Sequence, residues 1–209
     1  GTGNQGLFNS GSNNFGIGNA GSTSTGWFNV GDVNSGVGNV GDLNTGWRNV
    51  GSYNSGDANV GDVNTGSNNV GDRNTGWLNT GDANTGLFNS GSGNSGFFNA
   101  GTGNQGLFNS GSNNWGVGNA GDTSTGLLNV GDVNTGLANV GNFNTGSWNA
   151  GSENSGPANV GDGNPGGDEG QIQVLLPEGG VYGSVVGANP EANAKNTALL
   201  LFARVKERL

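Results

Sequence analysis

The stretch GDVNTGSNNVGDRNTGWLNTGDANTG, residues 61–86, places glycine at every fifth position and asparagine at every fifth position three residues later. In blocks of ten, numbered 1 to 10, the chain from Gly1 to about Gly167 reads G-[SD]-x-N-[ST]-G-x-x-N-[VAS]. Only Ser24 and Ser124 interrupt the asparagine of position 4. A disordered linker has no reason to keep such columns, whereas stacked coils do. The pattern therefore predicts an all-β solenoid.

The composition limits the kinds of function that the chain can have. Of its 209 residues 47 are glycine, only 10% are charged, and His and Cys are absent, which removes the usual general base and the thiol nucleophile. We therefore expect no enzymatic activity and no cofactor. The net charge of −9 argues against nucleic-acid partners, because phosphate binding needs clustered Lys and Arg. No run of about 18 apolar residues exists, so no transmembrane helix is expected.

The number of residues in one coil can be inferred from position 8, because equivalent side chains stack in a solenoid. Large and small residues alternate there, as in Phe8, Gly18 and Phe28, and the exceptions are Leu78 and Phe98. This alternation predicts about 20 residues per coil. Four five-residue sides per coil follow.

The roles of the columns follow from the shortness of each side. A corner needs backbone angles that glycine adopts freely, so positions 1 and 6 are expected at the corners. The valine-rich position 10 is expected to face a narrow interior, because valine is small and β-branched. Asparagine carries both donors and acceptors, so its side chains are expected to stack in ladders.

The composition changes abruptly near residue 168, which predicts two regions: a repeat solenoid over 1–167 and a capping segment over 168–209. Within the second region, alternating apolar residues around the turn PEGG predict a hairpin over 171–186. Asn-Pro-Glu then predicts the start of a helix over 190–208. We expect this segment to cover the open end of the solenoid; an oligomerisation element and a helix that lies on a membrane surface are the alternatives. End-to-end or cap-mediated self-association is therefore also expected.

Aromatic residues at positions 7 and 8 are the candidate contact surface. Adjacent residues of an extended segment point to opposite faces, so at least one of the two columns should be exposed or packed around a corner. Exposed aromatic strips usually mark contact surfaces, here for an unknown protein, a glycan or a component of the cell envelope. A structural role in the core is the alternative. The candidate contact residues are Trp27, Trp47, Trp77 and Phe97.

Three further functions are open alternatives, and each is based on one feature of the sequence. A threonine column at position 5 raises the possibility of ice binding, although serines, Gln105 and Pro165 interrupt it. The acidic residues raise the possibility that the solenoid is an acidic rod that mimics DNA. Stacked carboxylates at position 2 could bind calcium, but Ser and Thr replace them freely, which favours solvated corner residues. The threonines are Thr25, Thr45, Thr65, Thr85, Thr125 and Thr145, and the acids are Asp32, Asp42, Asp62, Asp72, Asp82, Asp122, Asp132 and Asp162.

Stretches such as GLFNSGSNNFGIGNAGS (6–22) and GWFNVGDVNSGVGNVGD (26–42) carry a family resemblance over roughly residues 1–165. They resemble the N-x-G-x-x arrays of mycobacterial PPE proteins of the major polymorphic tandem repeat class. The resemblance implies a mycobacterial protein that is secreted by the type VII route or held at the cell surface, without enzymatic activity. More distantly, the chain is similar to the pentapeptide-repeat proteins, and this resemblance implies a right-handed parallel β-helix of quadrilateral cross-section. We therefore expect a rigid structural module that presents a surface for host or cell-envelope interaction.

Overall fold

The structure, a computed structural model, describes residues 1–165, 171–175 and 181–185. The chain divides into two compact units, Gly1–Phe108 and Asn109–Leu209. In both units the described residues form short strands that stack in parallel, so the predicted β-solenoid is confirmed. The helix predicted over 190–208 lies outside the described residues.

One coil contains ten residues in both units. Each strand at positions 5–7 pairs in parallel with the strand ten residues later, so Thr75 lies opposite Thr85 and Thr135 lies opposite Thr145. Successive coils are therefore about 4.8 Å apart at a spacing of ten residues, not twenty. The prediction of a quadrilateral coil of about 20 residues is wrong. Each coil has two five-residue sides, which we call the first face (positions 5–7) and the second face (position 10 and the next block's positions 1 and 2).

The strands of the first unit are three residues long because a bend follows each of them. On the second face some coils carry full strands, and the others are joined by single bridges at position 10, such as Val40 to Val50. In chain order the strands are β1 (Gln5–Leu7), β2 (Ser10–Ser12), β3 (Phe15–Ile17), β4 (Ala20–Ser22), β5 (Thr25–Trp27), β6 (Ser35–Val37), β7 (Thr45–Trp47), β8 (Ser55–Asp57), β9 (Thr65–Ser67), β10 (Thr75–Trp77), β11 (Thr85–Leu87), β12 (Ser90–Ser92), β13 (Ser95–Phe97), β14 (Ala100–Thr102) and β15 (Gln105–Leu107).

The second unit repeats this arrangement and adds one antiparallel pair. Its solenoid strands are β16 (Ser110–Ser112), β17 (Trp115–Val117), β18 (Ala120–Asp122), β19 (Thr125–Leu127), β20 (Thr135–Leu137), β21 (Thr145–Ser147) and β22 (Ser155–Pro157). The antiparallel pair is β23 (Gln171–Leu175) and β24 (Val181–Val185), which lie within the segment predicted as a hairpin. Its capping role and the domain boundary at 167/168 stay predictions.

The alternation at position 8 has a different cause from the one that suggested a longer coil. A methyl group on Gly18 would lie 2.7 Å from the ring of Phe28, and one on Gly118 would lie 2.7 Å from Leu128. A large side chain at this position therefore covers the same position of the coil before it, which favours a small residue there. The twenty-residue period is a packing pattern on the surface of a ten-residue coil.

The glycines at position 6 lie at the centres of strands, and those at position 1 lie in strands or directly after the bridges of the second face, so their prediction as corner residues is wrong. Gly46, for example, is the middle residue of β7 and has a φ of 117°. A methyl group on Gly46 would overlap the carbonyl oxygen of Gly56 in the next coil. Glycine is required there because the coils approach closely and because the backbone angle disfavours other residues.

The corners are instead at positions 3 and 8, where the backbone turns through the left-handed region. Phe28 has a φ of 55° and Val33 a φ of 58°, a conformation that is uncommon for bulky or β-branched residues. Hydrogen bonds to the preceding coil hold it, since the amide of Phe28 donates to the Ile17 carbonyl at 2.9 Å. The same donation recurs at Val33, whose amide bonds Ser22 at 2.9 Å. The stacking of coils therefore imposes the corner conformation on many residue types.

Candidate functional site

The interior of the solenoid consists of polar side chains. Among the described residues no hydrophobic side chain is buried, and the buried side chains are the asparagines of positions 4 and 9 together with Ser24 and Ser124. The valines of position 10 are exposed, since Val50 keeps 45% of its surface and Val140 keeps 52%. The prediction that this column faces the interior is wrong. Position 10 points outward because it follows the buried asparagine of position 9, and adjacent residues of an extended segment point to opposite faces.

The interior asparagines link neighbouring coils through their side-chain amides and their backbone N–H groups. The Oδ1 of Asn64 accepts the backbone N–H of Asn74 at 2.9 Å, and its Nδ2 donates to the carbonyl of Gly71 at 2.7 Å. The backbone N–H of Asn64 donates in turn to Oδ1 of Asn54 at 2.9 Å. The asparagine ladders that the sequence predicts are therefore present, and they bond the backbone as well as one another.

At position 9 the ladder has an additional bond between side chains. The Nδ2 of Asn69 donates to Oδ1 of Asn59 at 3.0 Å and to the carbonyl of Gly76 at 2.8 Å. Within the described part of the chain, no buried side-chain nitrogen or oxygen lacks a partner. A fully bonded polar interior avoids the cost of buried unsatisfied groups, which makes an asparagine core possible without apolar burial.

Ser24 shows which properties of asparagine the interior needs. Its hydroxyl accepts the N–H of Asn34 at 3.0 Å and donates to the Gly31 carbonyl at 3.0 Å. Ser124 makes the equivalent pair of bonds with Asn134 and Gly131. The position therefore needs one acceptor and one donor in the right places, and an amide or a hydroxyl can supply both.

All four candidate contact residues lie outside the core, in the position-7 column of the first face. Trp27, Trp47, Trp77 and Phe97 keep 55%, 62%, 60% and 44% of their surface exposed. Position 8 is exposed as well, because it lies at the corner. The candidates are not on adjacent coils. Val37, for example, lies between Trp27 and Trp47 in the paired register. The candidates therefore share one column without touching one another, and their role in binding stays a prediction.

The aspartates of position 2 have a structural role on the second face. Oδ1 of Asp72 accepts the backbone N–H of Asp62 at 2.9 Å, and Oδ1 of Asp82 accepts that of Asp72 at 2.9 Å. Asn142 makes the same bond to the N–H of Asp132 at 2.8 Å. One carboxylate oxygen of each aspartate is thus used within the solenoid. No cluster of three or more His, Cys, Asp or Glu residues that could hold a metal ion occurs among the described residues.

The hydroxyl column at position 5 is also exposed, and it is longer than the threonines alone suggest. With a ten-residue coil the serines at the same position join the threonines, so Thr45 lies between Ser35 and Ser55 in the paired register. The exposed hydroxyl ladder of the first unit therefore consists of Thr25, Ser35, Thr45, Ser55, Thr65, Thr75, Thr85 and Ser95.

An aromatic ladder that was not predicted from the sequence lies at the corner of the first unit. The rings of Phe88 and Phe98 stack with centroids 4.7 Å apart, and those of Phe98 and Phe108 with centroids 5.3 Å apart. The signal was present in the sequence, because Phe98 breaks the alternation of position 8. With a coil of ten residues, that exception places three phenylalanines directly above one another.

Comparison with known proteins identifies the repeat over most of the chain. No described helix is long and apolar enough to cross a membrane. No curated protein matches the chain in a sequence comparison. A family model described as Pentapeptide repeats (8 copies) matches residues 3–42, 38–77, 73–112, 93–132, 103–140 and 133–168.

Proposed function

The chain belongs to the pentapeptide-repeat family, and from this premise we propose that it is a rigid, non-enzymatic scaffold that presents its outward side chains to the host or to the cell envelope. The observation that carries the proposal is the separation of structural and exposed positions. The bonds that hold the coils are made by the backbone and by inward amides, as at Asn64. The side chains of positions 3, 5, 7, 8 and 10 can therefore vary without disturbing the fold.

The exposed tryptophans support a contact role on the first face. Trp27, Trp47 and Trp77 are more than half exposed, although burial of an indole is favourable and their positions do not require them. Ser67 occupies position 7 of β9 with the same pairing, so a small polar residue satisfies the strand equally well. Exposed aromatic residues of this kind are typical of contact surfaces.

We also propose that the protein is a mycobacterial PPE protein that is secreted or held at the cell surface. This part of the proposal is supported by the N-x-G-x-x grammar of stretches such as residues 26–42. The expected partner is an envelope component, a glycan or a host protein.

Binding of fluorescently labelled protein to intact mycobacterial cells and to cultured phagocytes tests the contact role. The triple variant Trp27→Ser, Trp47→Ser and Trp77→Ser should keep the circular dichroism spectrum and lose most of the binding. Trp115→Ser is the matched control, since Trp115 is exposed at position 5 of its block, where serine also occurs. Equal binding by the wild type and the triple variant would exclude these tryptophans from the contact.

A second candidate function is binding to ice, which is favoured by the exposed hydroxyl ladder of the first face. The ladder places a hydroxyl on every coil from Thr25 to Ser95, at a repeat of about 4.8 Å. Thermal hysteresis of the wild type tests this candidate. The same triple tryptophan variant separates the two functions, because removing bulky indoles beside the ladder should raise ice binding but weaken cell binding. Absence of thermal hysteresis in both proteins would exclude ice binding.

A further inference from the structure

Four successive coils of the first unit carry large apolar residues at both position 7 and position 8. Their register aligns them in two columns, since Trp77 lies opposite Leu87, which lies opposite Phe97. Seven of the eight side chains are between 36% and 60% exposed, and Leu87 is half-buried. We call this surface the apolar strip, and it consists of Trp77, Leu78, Leu87, Phe88, Phe97, Phe98, Leu107 and Phe108.

The strip is a local feature, not a general consequence of the repeat. In earlier coils of the same unit the equivalent pairs are interrupted by polar or charged residues, as at Arg48, Asp57 and Asn68. Across the four coils of the strip, positions 4 to 8 read NTGWL, NTGLF, NSGFF and NQGLF, without a charged residue. The side of the coil that carries the strip is therefore uncharged in a chain with a net charge of −9.

We propose that the apolar strip is an interface between two copies of this chain, packed strip against strip about a two-fold axis. Contiguous exposed apolar surface of this size is rare on monomeric proteins and marks sites of association. The expected interface is isologous, because each copy contributes the same surface. It differs from an end-to-end contact, since it uses the side of the solenoid instead of its open edges.

The area of the strip agrees with what a stable dimer needs. An aromatic side chain buries 150–250 Å² when fully covered, so eight half-exposed large side chains would bury on the order of 700 Å² per partner. Specific interfaces typically bury about 800 Å² per partner, which the polar residues around the strip can complete.

The regular spacing of the strip favours a second copy over an unrelated partner. The side chains repeat at the coil spacing of about 4.8 Å, and another strip has the same spacing. Two such strips can therefore interdigitate at all four coils, whereas an irregular protein surface would match at few of them. The stack of Phe88, Phe98 and Phe108 supplies aromatic anchors over three of the four coils, and aromatic residues of this kind often carry much of the binding energy of an interface.

The distribution of charge predicts how the dimer responds to salt. Within the four coils of the strip, residues 71–110, the carboxylates are those of Asp72 and Asp82, which lie at position 2 on the second face. Repulsion between two chains of net charge −9 is therefore long-ranged and is screened by salt, while the apolar contact is not weakened. The dimer should become tighter as sodium chloride is added.

Sedimentation velocity over a range of protein concentrations tests the proposal, with the full chain. The triple variant Phe88→Asn, Phe98→Asn and Phe108→Asn removes the ring stack and keeps Trp77 and Phe97. Asparagine fits these corners, because Asn68 already occupies position 8 with a φ of 57°. We expect the wild type to dimerise and the triple variant to dimerise at least tenfold more weakly. Phe28→Asn, which removes an equally exposed ring outside the strip, should leave the dimer unchanged.

Thermal melts of each variant, followed by circular dichroism, show that the fold is retained. The proposal is overturned if the wild type stays monomeric up to its solubility limit, or if the triple variant associates as strongly as the wild type. The second result would assign association to the ends of the solenoid. Flotation of monomeric protein with phosphatidylcholine vesicles, lost in the triple variant, would also overturn it in favour of a lipid contact. Cell binding by the triple phenylalanine variant tests the proposed function separately, because this variant keeps Trp27, Trp47 and Trp77.

Discussion

The columns at positions 8 and 9 are adjacent in sequence and follow the same coils, yet they differ completely in composition. Position 9 is asparagine in every block from Asn9 to Asn159, whereas position 8 holds Gly, Ala, Asn, Arg, Leu, Phe and Trp. The difference is one of orientation, since position 9 is buried and bonded in the interior and position 8 turns outward at the corner. Sequence constraint in this solenoid is therefore imposed by inward hydrogen bonds.

The same two columns show that stability and surface chemistry are determined by different positions of the repeat. In most globular proteins a buried column is apolar, and removing water from it is the main driving force for folding. Here the buried column is a row of amides, and backbone groups of neighbouring coils bond to it at 2.6–3.1 Å, as at Asn74 and Asn69. The interior is specified by the positions of its hydrogen-bond donors and acceptors. Substitutions of inward side chains should therefore lower the stability strongly, and substitutions of outward side chains should be tolerated.

The largest expected effect follows from a methyl group placed between coils. Gly76→Ala puts a Cβ onto the carbonyl oxygen of Gly86 at a φ of 122°, and the combined overlap and strain should cost roughly 4–6 kcal/mol. Urea unfolding measures this loss. Gly93→Asn is the matched control, because Gly93 is a corner with a φ of 67° where an added Cβ would lie in ordinary contact, 3.9 Å from the backbone nitrogen of Gly103. Equal stability of the two variants would contradict the placement of glycine at strand centres.

The next effect tests whether the interior needs an amide donor. Asn64→Asp replaces the donor to the Gly71 carbonyl with an acceptor and buries an unpaired charge, which should cost roughly 3–5 kcal/mol near neutral pH. Burial raises the pKa of such a carboxyl, so the loss should shrink when the pH is lowered to about 4. Asn68→Asp, at an exposed corner, should have little effect. A similar loss in both variants, measured by chemical unfolding at both pH values, would argue against a distinct interior.

A smaller and opposite effect is expected on the second face. Asp72→Asn keeps the oxygen that accepts the Asp62 N–H and removes a charge stacked between Asp62 and Asp82. Relief of this repulsion should stabilise the protein by roughly 0.2–1 kcal/mol at low ionic strength, and less at high salt. Thermal melts at two salt concentrations measure the difference. Asp72→Ala, which lacks the acceptor, should be destabilised, and a stabilised alanine variant would refute the structural role of this column.

The smallest effect is expected at the corner. Phe28→Asn removes a large exposed ring where the backbone φ is 55°, an angle that asparagine tolerates better than phenylalanine. Its unfolding free energy should stay within about 0.5 kcal/mol of the wild type. A loss of several kcal/mol would show that the outer column also holds the fold, and the contrast with position 9 would disappear.

The sequence was sufficient for the solenoid and for the asparagine ladders, because both follow from strict columns of residues with known chemistry. It was insufficient for the coil length. Periods of five, ten and twenty all fit the glycines, and only the pairing of Thr75 with Thr85 distinguishes them. The choice of twenty rested on position 8, where Phe28 covers Gly18 on the surface.

Two other predictions were wrong for separate reasons. Valine at position 10 was assigned inward because buried columns are usually apolar, whereas the inward polar column was already visible as Asn9 to Asn159. Glycine was assigned to corners, although its closest constraint is the neighbouring backbone at the strand centre. The exposure of Trp27, Trp47, Trp77 and Phe97 agrees with their selection as candidates, and their partner cannot be read from columns that vary freely.

The unfolding free energies of Asn64→Ser and Asn64→Leu, measured side by side, test most directly that hydrogen bonds hold the interior. Serine can accept from Asn74 and donate to Gly71, as Ser24 does in its own coil, so it should remain within about 1 kcal/mol of the wild type. Leucine has the same number of side-chain heavy atoms and the same branching but leaves both groups unpaired, so it should lose roughly 2–5 kcal/mol. A leucine variant as stable as the serine variant, or more stable, would contradict the account.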